Sequence, residues 1–228
     1  GLFYLHAQVA DPDGKVQKQE KLAYQVLVPL PEKRPNNLAG YDGHGWIYAW
    51  HPVDSPNNKP NPEAAAMLRD YGFGWVHPRL GWSHLHRGPG QISPERLPIL
   101  DQWVETARQA GVKIVMCLTD AIPAVIGDNT TLFEQMYREW AEAHMSRYRD
   151  QVDVWEAWNE PDSKGYALKD DRDILALKIV HELKQKYCPT SAVITSPHTS
   201  HGLNYIKRIL DKGAGPYLDG IGVHPYRG

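Results

Sequence analysis

Cysteine is nearly absent, with two in 228 residues. Cys117 lies in an apolar run and Cys188 stands just before Pro189, so no disulfide framework is available and a reduced, inert pair is expected. Net charge is also missing. Twenty-five Lys and Arg against 27 Asp and Glu leave a formal charge of −2, which gives neither nucleic acid nor an anionic membrane an electrostatic handle. No apolar run approaches the roughly 18–20 residues needed to span a bilayer. The sequence has no signal-peptide pattern and no initiating Met. It opens inside a strand-like run and reads as a piece of a longer protein. Phe is scarce at three, whereas Trp at eight and Tyr at twelve are abundant. Most of those rings are expected in the core.

What the chain does contain is alternation. Residues 1–30 read as a hairpin. Phe3, Leu5, Ala7 and Val9 alternate, Asp11-Pro12-Asp13-Gly14 supplies a turn, and Leu22, Tyr24, Val26 and Val28 alternate again. A lone two-stranded hairpin is marginal in water, so residues 1–35 are assigned to the end of an accessory β-sandwich-like domain. Pro29, Pro31 and Pro35 stiffen the linker that follows.

Residues 36–228 form a second unit. Strands are expected at 46–50, 74–78, 112–118, 152–158, 192–196 and 220–224. Helices are expected between them at 62–71, 93–110, 131–148, 171–187 and 203–211. Ser93-Pro94-Glu95 is a helix start and Gly111 a stop. Apolar strands separated by amphipathic helices imply an α/β fold with a parallel sheet. Their even spacing favours a TIM (β/α)8 barrel over a doubly wound sheet, here incomplete, with strands 1–6 present.

The stretch VDVWEAWNEPD, residues 152–162, organises this unit. Its β-formers read as a buried strand that stops at Pro161, leaving Asn159 and Glu160 at the C-terminal tip. A capping Asn beside a solvated Glu would account for the tripeptide alone. Between Trp155, Trp158 and a rim of other polar groups, the pair reads instead as an orienting amide and a proton-carrying carboxyl. In a (β/α)8 barrel the strand ends build the site. They deliver His51, then His77, Arg79, Trp82, His84 and His86, then Asp120, then Asn159 and Glu160, then His198, and finally His224 and Tyr226.

On those residues the chain resembles the clan A glycoside hydrolases. WEAWNEPD is similar to that clan's fourth strand, Arg79 with Trp82 to its second, and His224-Pro225-Tyr226 to its sixth. Within the clan it looks most like the β-xylosidase and α-iduronidase family or its endoglucanase and glucuronidase neighbours. The resemblance implies retaining hydrolysis of a carbohydrate substrate, with Glu160 as general acid/base and no cofactor. It implies that Asn159 binds the sugar 2-hydroxyl, and that Arg79, His224 and Tyr226 support the nucleophile. Trp82, His198, His51 and Asp120 join them as substrate-binding candidates, because aromatic faces stack on sugar rings and the rest are polar. The nucleophilic Glu of the clan ends the seventh strand, which is not among these residues. Glu156 lies about 13 Å below Glu160 at roughly 3.3 Å per residue, too deep for that part, and is expected to pair with a buried Arg such as Arg79.

Two readings of other classes stand beside this one. One is a carbohydrate-binding barrel without turnover. The other is a metal-dependent hydrolase using His84-x-His86, whose spacing suits two ligands on a strand but whose place after strand two predicts a loop.

Overall fold

A computed structural model describes residues 2–10, 16–25, 40–42, 69, 73–82, 86–92, 94, 97–119, 121–163, 168–195 and 203–224. Strands β1 (Leu2–Ala10) and β2 (Val16–Gln25) pair antiparallel, with Leu5 opposite Leu22 and a register shift between Val9 and Ala10. The second arm therefore begins at Val16, ahead of the alternation that marked it. Ladder bonds are made by backbone, so the polar run at 17–21 pairs as readily as the apolar one.

The main sheet has five strands in the order β3-β4-β5-β6-β7, all parallel. They are β3 (Gly40–Asp42), β4 (Trp75–His77), β5 (Lys113–Cys117), β6 (Val154–Glu156) and β7 (Ala192–Ile194). Helices α1 (Leu97–Gln109), α2 (Thr130–Arg147), α3 (Asp170–Tyr187) and α4 (Leu203–Asp211) alternate with them, and a 3-10 turn (Gly215–Tyr217) follows α4. Consecutive strands are neighbours, as expected of strands each returned by a crossover helix.

Several boundaries differ from expectation. The strand beside β4 is Gly40–Asp42, upstream of the run at 46–50. That run, most of the expected first helix and Ser93 lie outside the described residues. The sixth strand, expected at 220–224, is present only as isolated bridges. Among the described residues, segment 219–222 meets β7 through one parallel bridge, Ile194 to Gly220. Gly222 N–H donates to the Thr195 hydroxyl at 2.8 Å, and Val223 beside it is again in a β-bridge, so 220–224 pairs as isolated bridges and not as a regular ladder.

Helix α2 shows how sequence becomes packing. Asn129 caps it, accepting from Leu132 N–H at 3.0 Å. Phe133, Met136, Tyr137, Trp140, Ala141, His144 and Met145 then fall on one face and are all buried. Trp82 fits against that face, 5.7 Å from Phe133, 5.3 Å from Tyr137 and 6.1 Å from Trp158 between ring centroids, edge to face in each case. Such pairs contribute roughly 0.5–1.5 kcal/mol each beyond their area. Among the described residues no helix is long and apolar enough to cross a membrane.

Polar groups inside this core are used structurally. His144 Nδ1–H donates to the Trp140 carbonyl at 2.8 Å, and burial depresses its pKa to about 4. His86 is also buried, and burial lowers its pKa too. An unfolded histidine titrates near 6.5, so below that pH the unfolded chain binds a proton the folded one refuses. Stability conferred by His144 is complete above pH 6.5 and falls as pH drops toward 4. Between pH 6.5 and 5 the loss is about 2 kcal/mol at about 1.4 kcal/mol per pH unit. Denaturant unfolding at the two pH values should show it, and His144→Leu should remove most of it. An unchanged slope in the variant would mean that this ring is not held neutral.

Candidate active site

Strand β6 stops at Glu156, but its pairing with the segment after β5 does not. Leu118 N–H donates to the Glu156 carbonyl, and Asn159 N–H to the Thr119 carbonyl, both at 2.9 Å. The two tips therefore run side by side as far as Asn159. Helix α2 fastens both. Tyr137 O–H donates to the Ala157 carbonyl at 2.6 Å, and Trp140 Nε1–H to the Leu118 carbonyl at 2.8 Å. These carbonyls are buried, and leaving one unmet costs about 1–3 kcal/mol.

On this fixed backbone Asn159 is wholly buried, and neither its Oδ1 nor its Nδ2 has a hydrogen-bond partner. A buried amide with both ends open departs from the satisfaction expected of native interiors, and such departures concentrate where a ligand completes the set. Glu160 is the only non-glycine residue with positive φ among the described residues, at 48°. An L side chain costs roughly 1–2 kcal/mol in this region. The following Pro161 also disfavours helical backbone before it. The turn is closed by Ser163 N–H donating to the Glu160 carbonyl at 3.0 Å.

The Glu160 carboxylate meets a residue 64 positions away, with His224 Nδ1 lying 2.7 Å from its Oε1. Segment 219–222 carries His224 there. Asp219 N–H donates to the Val193 carbonyl at 2.7 Å and Thr195 N–H to the Gly220 carbonyl at 3.2 Å. The Asp219 carboxylate accepts from Lys184 Nζ at 2.7 Å and from Val193 N–H at 2.8 Å, and against its partial desolvation these bonds hold its pKa below the usual carboxylate value. Gly220 packs closely, since a Cβ there would stand 3.3 Å from Ile194 Cγ2 and that side chain would have to shift by a few tenths of an ångström. Glu160 and His224 are each about 15% exposed, poised between core and solvent.

Of the sequence candidates, Asn159, Glu160 and His224 come together at one tip. Arg79 is buried two strands away, just past β4, its backbone bridged to Cys117. His51, Asp120, His198 and Tyr226 lie outside the described residues. Trp82 is corrected. Its ring is in the core, and its Nε1–H donates to His86 Nδ1 at 2.9 Å. That bond turns His86 inward, with Nε2 toward Glu139 at 3.3 Å, so this histidine cannot serve a rim metal through Nδ1. His84 lies outside the described residues. Glu156 is corrected as well, since the partner it meets is His77, at 2.8 Å between Nε2 and Oε2.

Sequence reasoning missed what surrounds that pair. Cys117 is directly opposite Glu156 in the β5–β6 register, and His77 approaches both from β4. Parallel register would have pointed to it, but register is not written in one strand's sequence.

No family profile matches the chain, and no curated protein matches it. Solved structures do. A family 39 glycoside hydrolase from the gut symbiont Bacteroides cellulosilyticus superposes with a TM-score of 0.68 at 21% identity, over 99% of this chain and 45% of its own. A tri-modular endo-β-1,4-glucanase from Bacillus halodurans gives 0.60 at 16% identity, over 81% and 38%. A Thermotoga maritima enzyme solved in complex with cellobiose gives 0.55 at 15%, over 69% and 50%. The chain thus spans half or less of the length of each of these three. At such identities the likeness is one of fold: a parallel β/α sheet that superposes on TIM-barrel glycoside hydrolases.

Proposed function

We propose that this chain carries the acid/base half of a retaining glycoside hydrolase site. The observation that bears most weight is the Glu160 carboxylate, held on a left-handed turn, 2.7 Å from His224 and next to the open amide of Asn159. The neighbours of like fold are consistent with a carbohydrate substrate. Glu160 protonates the glycosidic oxygen as the bond to the anomeric carbon breaks. A second carboxylate, about 5–5.5 Å away in retaining enzymes, forms the glycosyl ester. Glu160, now ionised, takes a proton from water, whose oxygen displaces that ester with net retention.

His224 orients Glu160 in this reading, in place of the nucleophile support first assigned to it. Asn159 binds the sugar 2-hydroxyl. Arg79 and Tyr226 support the nucleophile, which lies outside residues 1–228. His51, Asp120 and His198 line the sugar subsites. Residues 36–228 are the catalytic unit, a (β/α)8 barrel of which strands 1–6 are present, and residues 1–35 belong to an accessory β domain. The substrate is a polysaccharide or oligosaccharide.

The test is Glu160→Ala in the polypeptide that also carries the nucleophile. Loss of general acid/base assistance should lower cleavage of a natural glycoside by about 10²–10⁴-fold. An aryl glycoside with a good leaving group should still glycosylate the enzyme, and azide should then restore turnover as a glycosyl azide of retained configuration. Equal loss on good and poor leaving groups, with no azide rescue, would remove Glu160 from the role. A wild type that binds oligosaccharide without turnover would favour the binding barrel.

The turn yields a separate expectation. Glu160→Gly should be more stable than Glu160→Ala by about 1 kcal/mol, because only glycine accepts φ 48° without strain. Thermal melts of the two variants decide it, and a tie would mean that the turn relaxes.

A further inference from the structure

Three neighbouring parallel strands each contribute one ligand-type side chain to a single spot beneath the site. They are His77 at the end of β4, Cys117 at the end of β5 and Glu156 at the end of β6. One donor atom from each lies within 4.8 Å of the other two. Cys117 and Glu156 are shut off from solvent, whereas the His77 side chain is 18% exposed and gives the spot its way in.

Two features exceed what an ion pair requires. Glu156 Oε1 is buried with no hydrogen-bond partner, an arrangement that is costly for a carboxylate. His77 Nε2 and Glu156 Oε2 approach to 2.8 Å, and the Cys117 sulfur lies within 4.8 Å of both side chains' donor atoms.

We propose that His77, Cys117 and Glu156 bind a zinc ion that ties β4, β5 and β6 together below Glu160. The donor set selects the metal. One imidazole nitrogen, one sulfur and one carboxylate oxygen suit zinc, whereas magnesium and calcium require shells of oxygen. Thiolate and carboxylate supply two negative charges against the ion's two positive ones, so the complex is neutral where the dielectric is low. Tetrahedral zinc with bonds of about 2.0–2.3 Å separates its ligands by roughly 3.3–3.6 Å. The His77–Glu156 pair opens by about half an ångström to reach this, and the wider separations close. Ordinary side-chain rotation covers both. The fourth position faces the partly exposed edge at His77 and takes water.

The test uses the whole chain, stripped by chelator and titrated with cobalt(II) and then zinc. Cobalt should bind one per chain with a thiolate-to-cobalt charge-transfer band, and zinc should displace it and raise the melting temperature. The chain has only two cysteines, so Cys188→Ser is the control and should keep the band. Cys117→Ser should abolish the band and weaken zinc binding by more than the ~100-fold typical of lost outer-shell partners. A wild-type chain with no thiolate band overturns the proposal without recourse to any variant. So does a band that survives Cys117→Ser or disappears with Cys188→Ser.

Discussion

Two side-chain donors on one face of α2 carry the geometry of the candidate site. Beyond Cys117 and Glu156 the strands leave their regular ladder, and their carbonyls still need partners inside the core. Tyr137 and Trp140 supply them at Ala157 and Leu118. Both rings are fully buried, so the same residues that contribute apolar area also satisfy backbone. With both tips held, the backbone of Asn159 has no freedom to relax, and Glu160 can be kept at a φ that a loose loop would abandon.

Residues of one chemical type meet different fates in this fold. His86 and His144 lie against Trp140 in the core and are kept neutral there by burial. His77 stands half-buried beside Glu156, and His224 reaches Glu160 at the edge of solvent. The two glutamates of one strand divide in the same way. Glu156 faces a histidine and a cysteine at depth, whereas Glu160, four residues on, is turned by its backbone toward a residue from the far edge of the sheet.

Much of this was legible in the sequence. Apolar runs separated by amphipathic segments located β4 to β7 and the four described helices, because burial on two faces and burial on one face leave different periods. Asn159 and Glu160 stood out because a proline after a strand ends the ladder and polar pairs are poor core residues. The errors have physical causes as well. Trp82 sits between other rim candidates in sequence and looks identical to a sugar-stacking ring, but Phe133, Tyr137 and Trp158 close around it. Residues 220–224 looked like a strand and pair as isolated bridges, the Thr195 side chain taking the Gly222 N–H between them.

The sequence by itself determined the order of strands and helices, the parallel sense of the sheet and the chemistry at the end of β6, since all of these follow from local composition and period. Only the tertiary structure decided partners. Whether Glu156 meets Arg79 or His77, whether Cys117 is inert or stands opposite a carboxylate, and whether His224 serves Glu160 depend on strand register and on which side chains the core closes over. Register is set by the packing of neighbouring elements, so a single strand's residues do not specify it.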